Sequence, residues 1–154
     1  MTCSSLTVTT HAPAETLALG RRFASLLTAG DVVLLGGRLG AGKTLFVGGV
    51  AEGLGISTPV TSPTFVLVRR YEDGFLPLVH ADVYRLGTVT EFADLELVDA
   101  AVDGVLVVEW GEAVADALPR DRIVVRIEIV DERTRRFRFT PSGGWCDRSL
   151  EVVA

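Results

Sequence analysis

The spacing of apolar and polar positions changes character several times along the 154 residues, and each change predicts an element. Leu6–Thr10 reads as a short strand. From Pro13, a residue suited to a first helical turn, Leu17, Ala18, Phe23, Ala24, Leu26 and Leu27 recur at helical spacing, and Gly30 supplies a stop. Asp31–Gly37 (DVVLLGG) is instead a short aliphatic run bounded by glycines, the pattern of a parallel-sheet strand covered on both faces. Thr44–Leu54 predicts the helix that follows, ended by Gly55. Gly48, Gly49 and Gly53 weaken its propensity by up to about 1 kcal/mol each, so packing or a ligand must hold it.

Further along, Thr64–Tyr71 and Phe75–His80 flank the turn Glu72–Asp73–Gly74 and predict a hairpin. Thr90–Leu97 predicts a short acidic helix, and Val105–Trp110 (VLVVEW) a second buried strand. Arg122–Val130 and Arg135–Thr140 alternate charged with apolar residues around the turn Asp131–Thr134, which predicts an edge hairpin with one wet face. From Pro141 onward the pattern is uninformative. The expectation is an α/β fold, one domain over residues 1–154, whose sheet mixes a parallel core with antiparallel strands.

Composition narrows what such a domain does. Twenty acidic against fifteen basic residues give a net charge of −5, which excludes a uniformly basic, nonspecific nucleic-acid surface; no DNA contact is expected, and if RNA is involved, another component carries it. The two cysteines, Cys3 and Cys146, lie near opposite ends without a CxxC or Cys/His cluster, so neither a disulfide framework nor a zinc site is expected. No signal-peptide pattern and no apolar run of membrane-spanning length occurs, from which a soluble, cytoplasmic protein without a membrane partner is expected. Fourteen of the fifteen basic residues are arginine; the single lysine is Lys43.

That lysine lies in Gly37–Thr44, GRLGAGKT, which fits GxxxxGK[ST] between a buried strand and a helix, the context that gives the motif meaning. There, backbone N–H groups from Gly37 through Leu39, Gly40, Ala41 and Gly42 would wrap a phosphate chain at a helix N-terminus. Lys43 would reach the β- and γ-phosphates and Thr44 would offer its hydroxyl to Mg²⁺, with Leu45 next in line. The competing reading is a glycine-rich turn before an ordinary helix.

Such a site needs a carboxylate at a strand end for the metal. Glu109, closing VLVVEW, suits it; the alternative is a solvated charge where the strand emerges. Asp82, in His80–Leu86 (HADVYRL), is the second candidate, against a structural salt bridge with Arg85. His80 reads better as a packed or hydrogen-bonded core residue than as a catalyst. Trp110 either stacks on a base or fills the core. Thr61, Ser62 and Thr64, around Pro63, stand where nucleotide switches keep a γ-phosphate-sensing loop, or form a proline-stiffened turn.

Absences also decide. With no asparagine and no second lysine, the Asn/Lys/Asp type of guanine recognition is excluded, and only Arg120 and Arg122 stand in for the arginine-bearing lid of a small-molecule kinase. In their order and spacing, ETLALG at 15–20, GRLGAGKT, SPTFVLVRRY at 62–71, HADVYRL, VVEWGE at 107–112 and LPRDRIVVRI at 118–127 resemble the landmarks of the TsaE (YjeE) family, small ATPases required for threonylcarbamoyl modification of tRNA. The resemblance implies a P-loop NTPase-like, three-layer fold with ATP and Mg²⁺ as cofactors. It further implies Lys43, Glu109 and Asp82 in catalysis, Thr44 and Glu109 at the metal, Trp110 near the nucleotide, and residues 61–64 as a switch-like loop.

The resemblance also implies a TsaD–TsaB complex as partner, which modifies adenosine 37 of tRNA, and a weak ATPase when alone. Two positions depart from the family pattern: Arg38 replaces the usual acidic residue after the first loop glycine, and Leu45 replaces a common hydroxyl. Partner contact and intrinsic rate are where these changes would act. A small-molecule kinase and a nonhydrolysing, nucleotide-bound interaction module remain the other readings.

Overall fold

A computed structural model describes residues 3–63, 67–83 and 89–154. In chain order the elements are β1 (Leu6–Thr10), α1 (Pro13–Ala24), β2 (Val32–Gly37), α2 (Lys43–Gly53), β3 (Val68–Tyr71), β4 (Leu78–Asp82), α3 (Val89–Asp94), α4 (Leu97–Ala100), β5 (Val105–Glu109), β6 (Arg122–Ile129) and β7 (Arg135–Ser142). Short 3₁₀ turns cover Gly111–Ala117, Gly143–Asp147 and Glu151–Val153.

The seven strands form one sheet in the order β1-β7-β6-β2-β5-β4-β3. Pairing is parallel for β6/β2, β2/β5 and β5/β4, and antiparallel for β1/β7, β7/β6 and β4/β3. The mixed α/β sheet expected from the pattern is therefore present. β2 and β5 read as aliphatic runs because both their faces are covered. On one side Val33, Leu35, Val105 and Val107 meet α1 and α2; on the other Val32, Leu34, Leu106 and Val108 meet Phe92, Leu97 and Val114.

The glycines of α2 find their explanation here. A Cβ placed on Gly49 would lie 2.2 Å from the Leu17 carbonyl oxygen and 3.1 Å from the Gly20 Cα, and one on Gly53 would lie 2.5 Å from the Ala24 Cβ. The two helices cross at backbone distance, and packing offsets the lost propensity. Gly49→Ala is expected to destabilise by about 1–3 kcal/mol through overpacking. At Gly48 the nearest atom to a Cβ is Leu17 Cδ1 at 3.8 Å, so Gly48→Ala is expected to be neutral or stabilising, by up to about 1 kcal/mol. Urea unfolding midpoints of the two variants should move in opposite directions, or for Gly49 alone.

Four expectations are corrected. The β6/β7 hairpin has its wet face, with Arg126, Arg136 and Arg138 exposed, but it is not at the edge: β6 pairs with the central β2, and β1 closes the sheet beyond β7. Helix α1 ends at Ala24, not near Gly30, because Asp31 turns the chain back by accepting hydrogen bonds from the Thr28 N–H at 2.7 Å and from both terminal nitrogens of Arg148 at 2.7 Å. The acidic helix is two short helices, α3 and α4, broken at Glu96, whose φ is +50°.

The fourth correction concerns the cysteines. Cys3 and Cys146 form a disulfide, 143 residues apart in sequence, because the antiparallel β1/β7 pairing brings the two ends of the chain together. Spacing alone carries no trace of that proximity. The segment after Pro141 also contributes to the core: Trp145 is buried, stacks on Phe23 with centroids 6.0 Å apart, and lies under the Arg148 guanidinium. Among the described residues no helix is long and apolar enough to cross a membrane.

Candidate nucleotide site

The site lies where the parallel strands end, the place at which open α/β sheets leave a crevice. β2 delivers the chain into residues 38–42, and α2 begins at Lys43. Gly40 and Gly42 have φ of +83° and +102°, a region that L side chains rarely adopt, and this lets the loop curl back over the helix start. Phe46 locks α2 beneath the loop by packing on Phe23 and Phe137, centroids 5.7 and 5.3 Å away. Residues required for phosphate-loop curvature are thus followed at once by the residue that fixes the helix.

A cleft of about 490 Å³ opens above this turn, lined from the loop and helix by Leu39, Gly40, Gly42, Lys43, Thr44 and Leu45. From the neighbouring strand ends come Asp82, Glu109 and Trp110, and from the 61–63 segment Ser62. Lys43 is buried; its ammonium donates to the Gly37 carbonyl at 2.6 Å and stands 3.8 Å from the centre of the Trp110 ring. Trp110, half-buried with φ of +63°, faces the lysine and also packs against the core cluster of Val108 and Val114. Leu39 is 90% exposed at the mouth, beside the exposed Arg38.

The register of β4 on β5 explains the carboxylates. Asp82 is directly opposite Glu109, and His80 opposite Val107. Side chains two apart share a face, and Leu78 and Val107 belong to the α1/α2 side of the core, so His80, Asp82 and Glu109 all point toward the phosphate loop. All three are buried, and His80 Nε2 is 2.6 Å from Glu109 Oε2. The solvated-charge alternative for Glu109 is thereby excluded. Arg85, the salt-bridge alternative for Asp82, lies outside the described residues.

Hard oxygen donors suit Mg²⁺, which is held by one or two carboxylates plus phosphates instead of an all-protein cage. The donors here have that character. The Thr44 hydroxyl and the Asp82 and Glu109 carboxylates line one cleft, while among the described residues no three His, Cys, Asp or Glu side chains form a ready-made cluster. Two buried carboxylates side by side are also an arrangement that a cation stabilises.

A second cavity, about 470 Å³, lies across the loop; Gly40, Gly42 and Leu45 line both. Its walls are Ala12, Pro13 and Thr16 at the start of α1, Ala41, and Glu132, Arg133 and Arg135 from the β6/β7 turn. Arg135 Nε donates to the Ala41 carbonyl at 3.2 Å. Only the fold brings these residues together: Thr16 stands in ETLALG, Ala41 in GRLGAGKT, Pro13 at the expected start of a helix and residues 132–133 in the expected turn.

The 61–64 loop divides. Ser62 reaches the cleft, whereas the Thr61 N–H donates to the Tyr71 hydroxyl at 3.2 Å, and Thr64 lies outside the described residues. The segment leading into it is pinned by Asp73, whose Oδ2 accepts from the hydroxyl and N–H groups of Ser57 and Thr58 at 2.8–3.1 Å. Those bonds, the Ser57 hydroxyl foremost, hold the Asp73 carboxyl down at about 2.

Comparison with known proteins follows this geometry. The family model described as threonylcarbamoyl adenosine biosynthesis protein TsaE matches residues 10–137. The tRNA threonylcarbamoyladenosine biosynthesis protein TsaE of Streptomyces coelicolor is 53% identical, covering 88% of this chain and 97% of its own. The protein of the same description from Bacillus subtilis is 42% identical, covering 92% and 89%. The crystal structure of Bacillus subtilis YdiB superposes with a TM-score of 0.77 at 38% identity, over 93% of this chain and 88% of that one.

Proposed function

This chain belongs to the TsaE family of threonylcarbamoyl adenosine biosynthesis proteins, and we propose on that premise that it serves tRNA modification as a Mg²⁺-dependent ATPase acting on a TsaD–TsaB complex. The observation that carries this reading is the convergence of Lys43, Thr44, Asp82 and Glu109 on one cleft at the end of the parallel strands.

In this reading the 37–42 backbone and the start of α2 bind the phosphates through N–H groups, and Lys43 turns its ammonium from the Gly37 carbonyl to the β- and γ-phosphates. Thr44 and Glu109 would hold the Mg²⁺ ion, with Asp82 beside them, and the ion would supply charge neutralisation at the phosphoryl oxygens. The second cavity, with Ala12, Pro13 and Thr16 in its walls, would take the base. Trp110 then reports on the phosphate side of the nucleotide and not on the base. Ser62 approaches the same cleft as a sensor of the terminal phosphate.

Phosphoryl transfer requires positioned charge and an oriented water, and the cleft's only lysine is already engaged with the phosphates. A partner that seats on the exposed Leu39 and Arg38 would complete it, which fits a weak activity in isolation. Nucleotide titration followed by Trp110 fluorescence tests the binding step. ATP with Mg²⁺ is expected to shift the emission saturably, and ATP to compete better than GTP; no saturable binding of ATP would refute the reading.

A further inference from the structure

We infer that His80 is a positioning residue for Glu109: its imidazole Nε2–H holds carboxylate Oε2 so that Oε1 is presented to a Mg²⁺ ion in the phosphate-loop cleft. This inference rests on the assignment of Glu109 to the metal and adds a residue that the assignment does not contain.

Three observations carry it. His80 is wholly buried, 0% exposed, and Nε2 lies 2.6 Å from Glu109 Oε2, the distance of a hydrogen bond strengthened by a charged acceptor. Parallel register fixes the pair: His80 is opposite Val107, so Glu109, two residues on, leans from the next position on the same face. The other ring nitrogen, Nδ1, is buried with no hydrogen-bond partner among the described residues.

The orphaned nitrogen tells which tautomer the site accommodates. A proton on Nδ1 would be a buried donor with nothing to receive it, whereas a lone pair there leaves Nε2 as the donor. His80 then donates from Nε2 to Glu109 Oε2 and leaves Oε1 of the carboxylate to face the cleft. Without the contact, Glu109 would lose the hydrogen bond that fixes Oε2. Partners that orient a metal-bound group in this way typically contribute 10–100-fold to metal affinity or activity.

The amides of glutamine and asparagine separate position from packing. Gln places its NH₂ near the imidazole Nε2, and Asn places its NH₂ near Nδ1, short of Glu109. The test measures ATP affinity by Trp110 fluorescence in Mg²⁺ and in EDTA for wild type, His80→Gln and His80→Asn, each also in a Glu109→Gln background, with thermal unfolding confirming that each is folded. His80→Asn is expected to reduce the Mg²⁺-dependent gain in affinity about tenfold or more, His80→Gln to retain it within about threefold, and the EDTA affinities to agree. In the Glu109→Gln background the His80 substitutions should have no further effect.

A Mg²⁺ gain equal in wild type and His80→Asn, or reduced alike by Asn and Gln while unfolding temperatures fall together, would overturn the positioning role and leave the metal assignment standing. A wild-type protein with no Mg²⁺ gain at all would overturn the metal assignment, and the role of His80 with it.

Discussion

Lys43→Ala is expected to weaken ATP binding by at least about 100-fold and to remove ATP hydrolysis, in a protein that still folds with a stability lower by about 1–2 kcal/mol. Among the described residues the ammonium is the only cationic group lining the cleft with Thr44, Asp82 and Glu109. Hydrogen bonds from a charged donor contribute about 1.5–3 kcal/mol each, so bonds to two phosphates amount to at least about 3 kcal/mol, or two orders of magnitude in Kd. In the protein alone Lys43 holds a carbonyl of its own loop and faces Trp110, contacts whose loss costs about 1–2 kcal/mol. Calorimetric titration with ATP, beside a thermal melt, separates these effects. A folded Lys43→Ala protein that binds ATP like wild type would remove the phosphate-loop assignment.

Glu109→Gln is the second large effect, and its signature differs. The amide keeps the shape and can still accept from His80, so the fold and metal-free nucleotide binding are expected to persist within about twofold. Turnover in Mg²⁺ should fall by about two to three orders of magnitude, because the carboxylate charge is what the ion needs. Because Asp82 is in register directly opposite, the pair distinguishes itself by substitution. Undiminished Mg²⁺-dependent turnover in Glu109→Gln, with loss in Asp82→Asn, would transfer the metal role to Asp82.

What the sequence made legible follows from how far apart the interacting residues are. The phosphate loop and its lysine stand in eight consecutive residues, and the buried strands β2 and β5 announce themselves by aliphatic runs, so this half of the site could be read directly. The partnership of His80 with Glu109 could not. It depends on β4 lying beside β5 in a particular register, and a lone histidine on an aliphatic strand looks the same whether or not a carboxylate waits on the next strand.

The second cavity was hidden for the same reason: Ala12, Glu132 and Arg133 are ordinary residues until β1, β7 and β6 carry them to the loop. The Cys3–Cys146 bridge belongs to that class too. The glycines of α2 were visible but ambiguous. Propensity marked them as costs, and only the close approach of α1 shows that Gly49 and Gly53 are required by packing while Gly48 is not. Arg38, a departure from the family pattern, is exposed beside Leu39, which is itself largely exposed at the cleft mouth.

Phosphate release from ATP, measured for the purified protein alone and with the matching TsaD–TsaB complex, and with Lys43→Ala as control, tests the central claim most directly. Slow release alone, strong stimulation by the complex and loss of both in the control is the expected result. Bound ATP that is never hydrolysed, even with the complex present, would contradict a partner-gated ATPase.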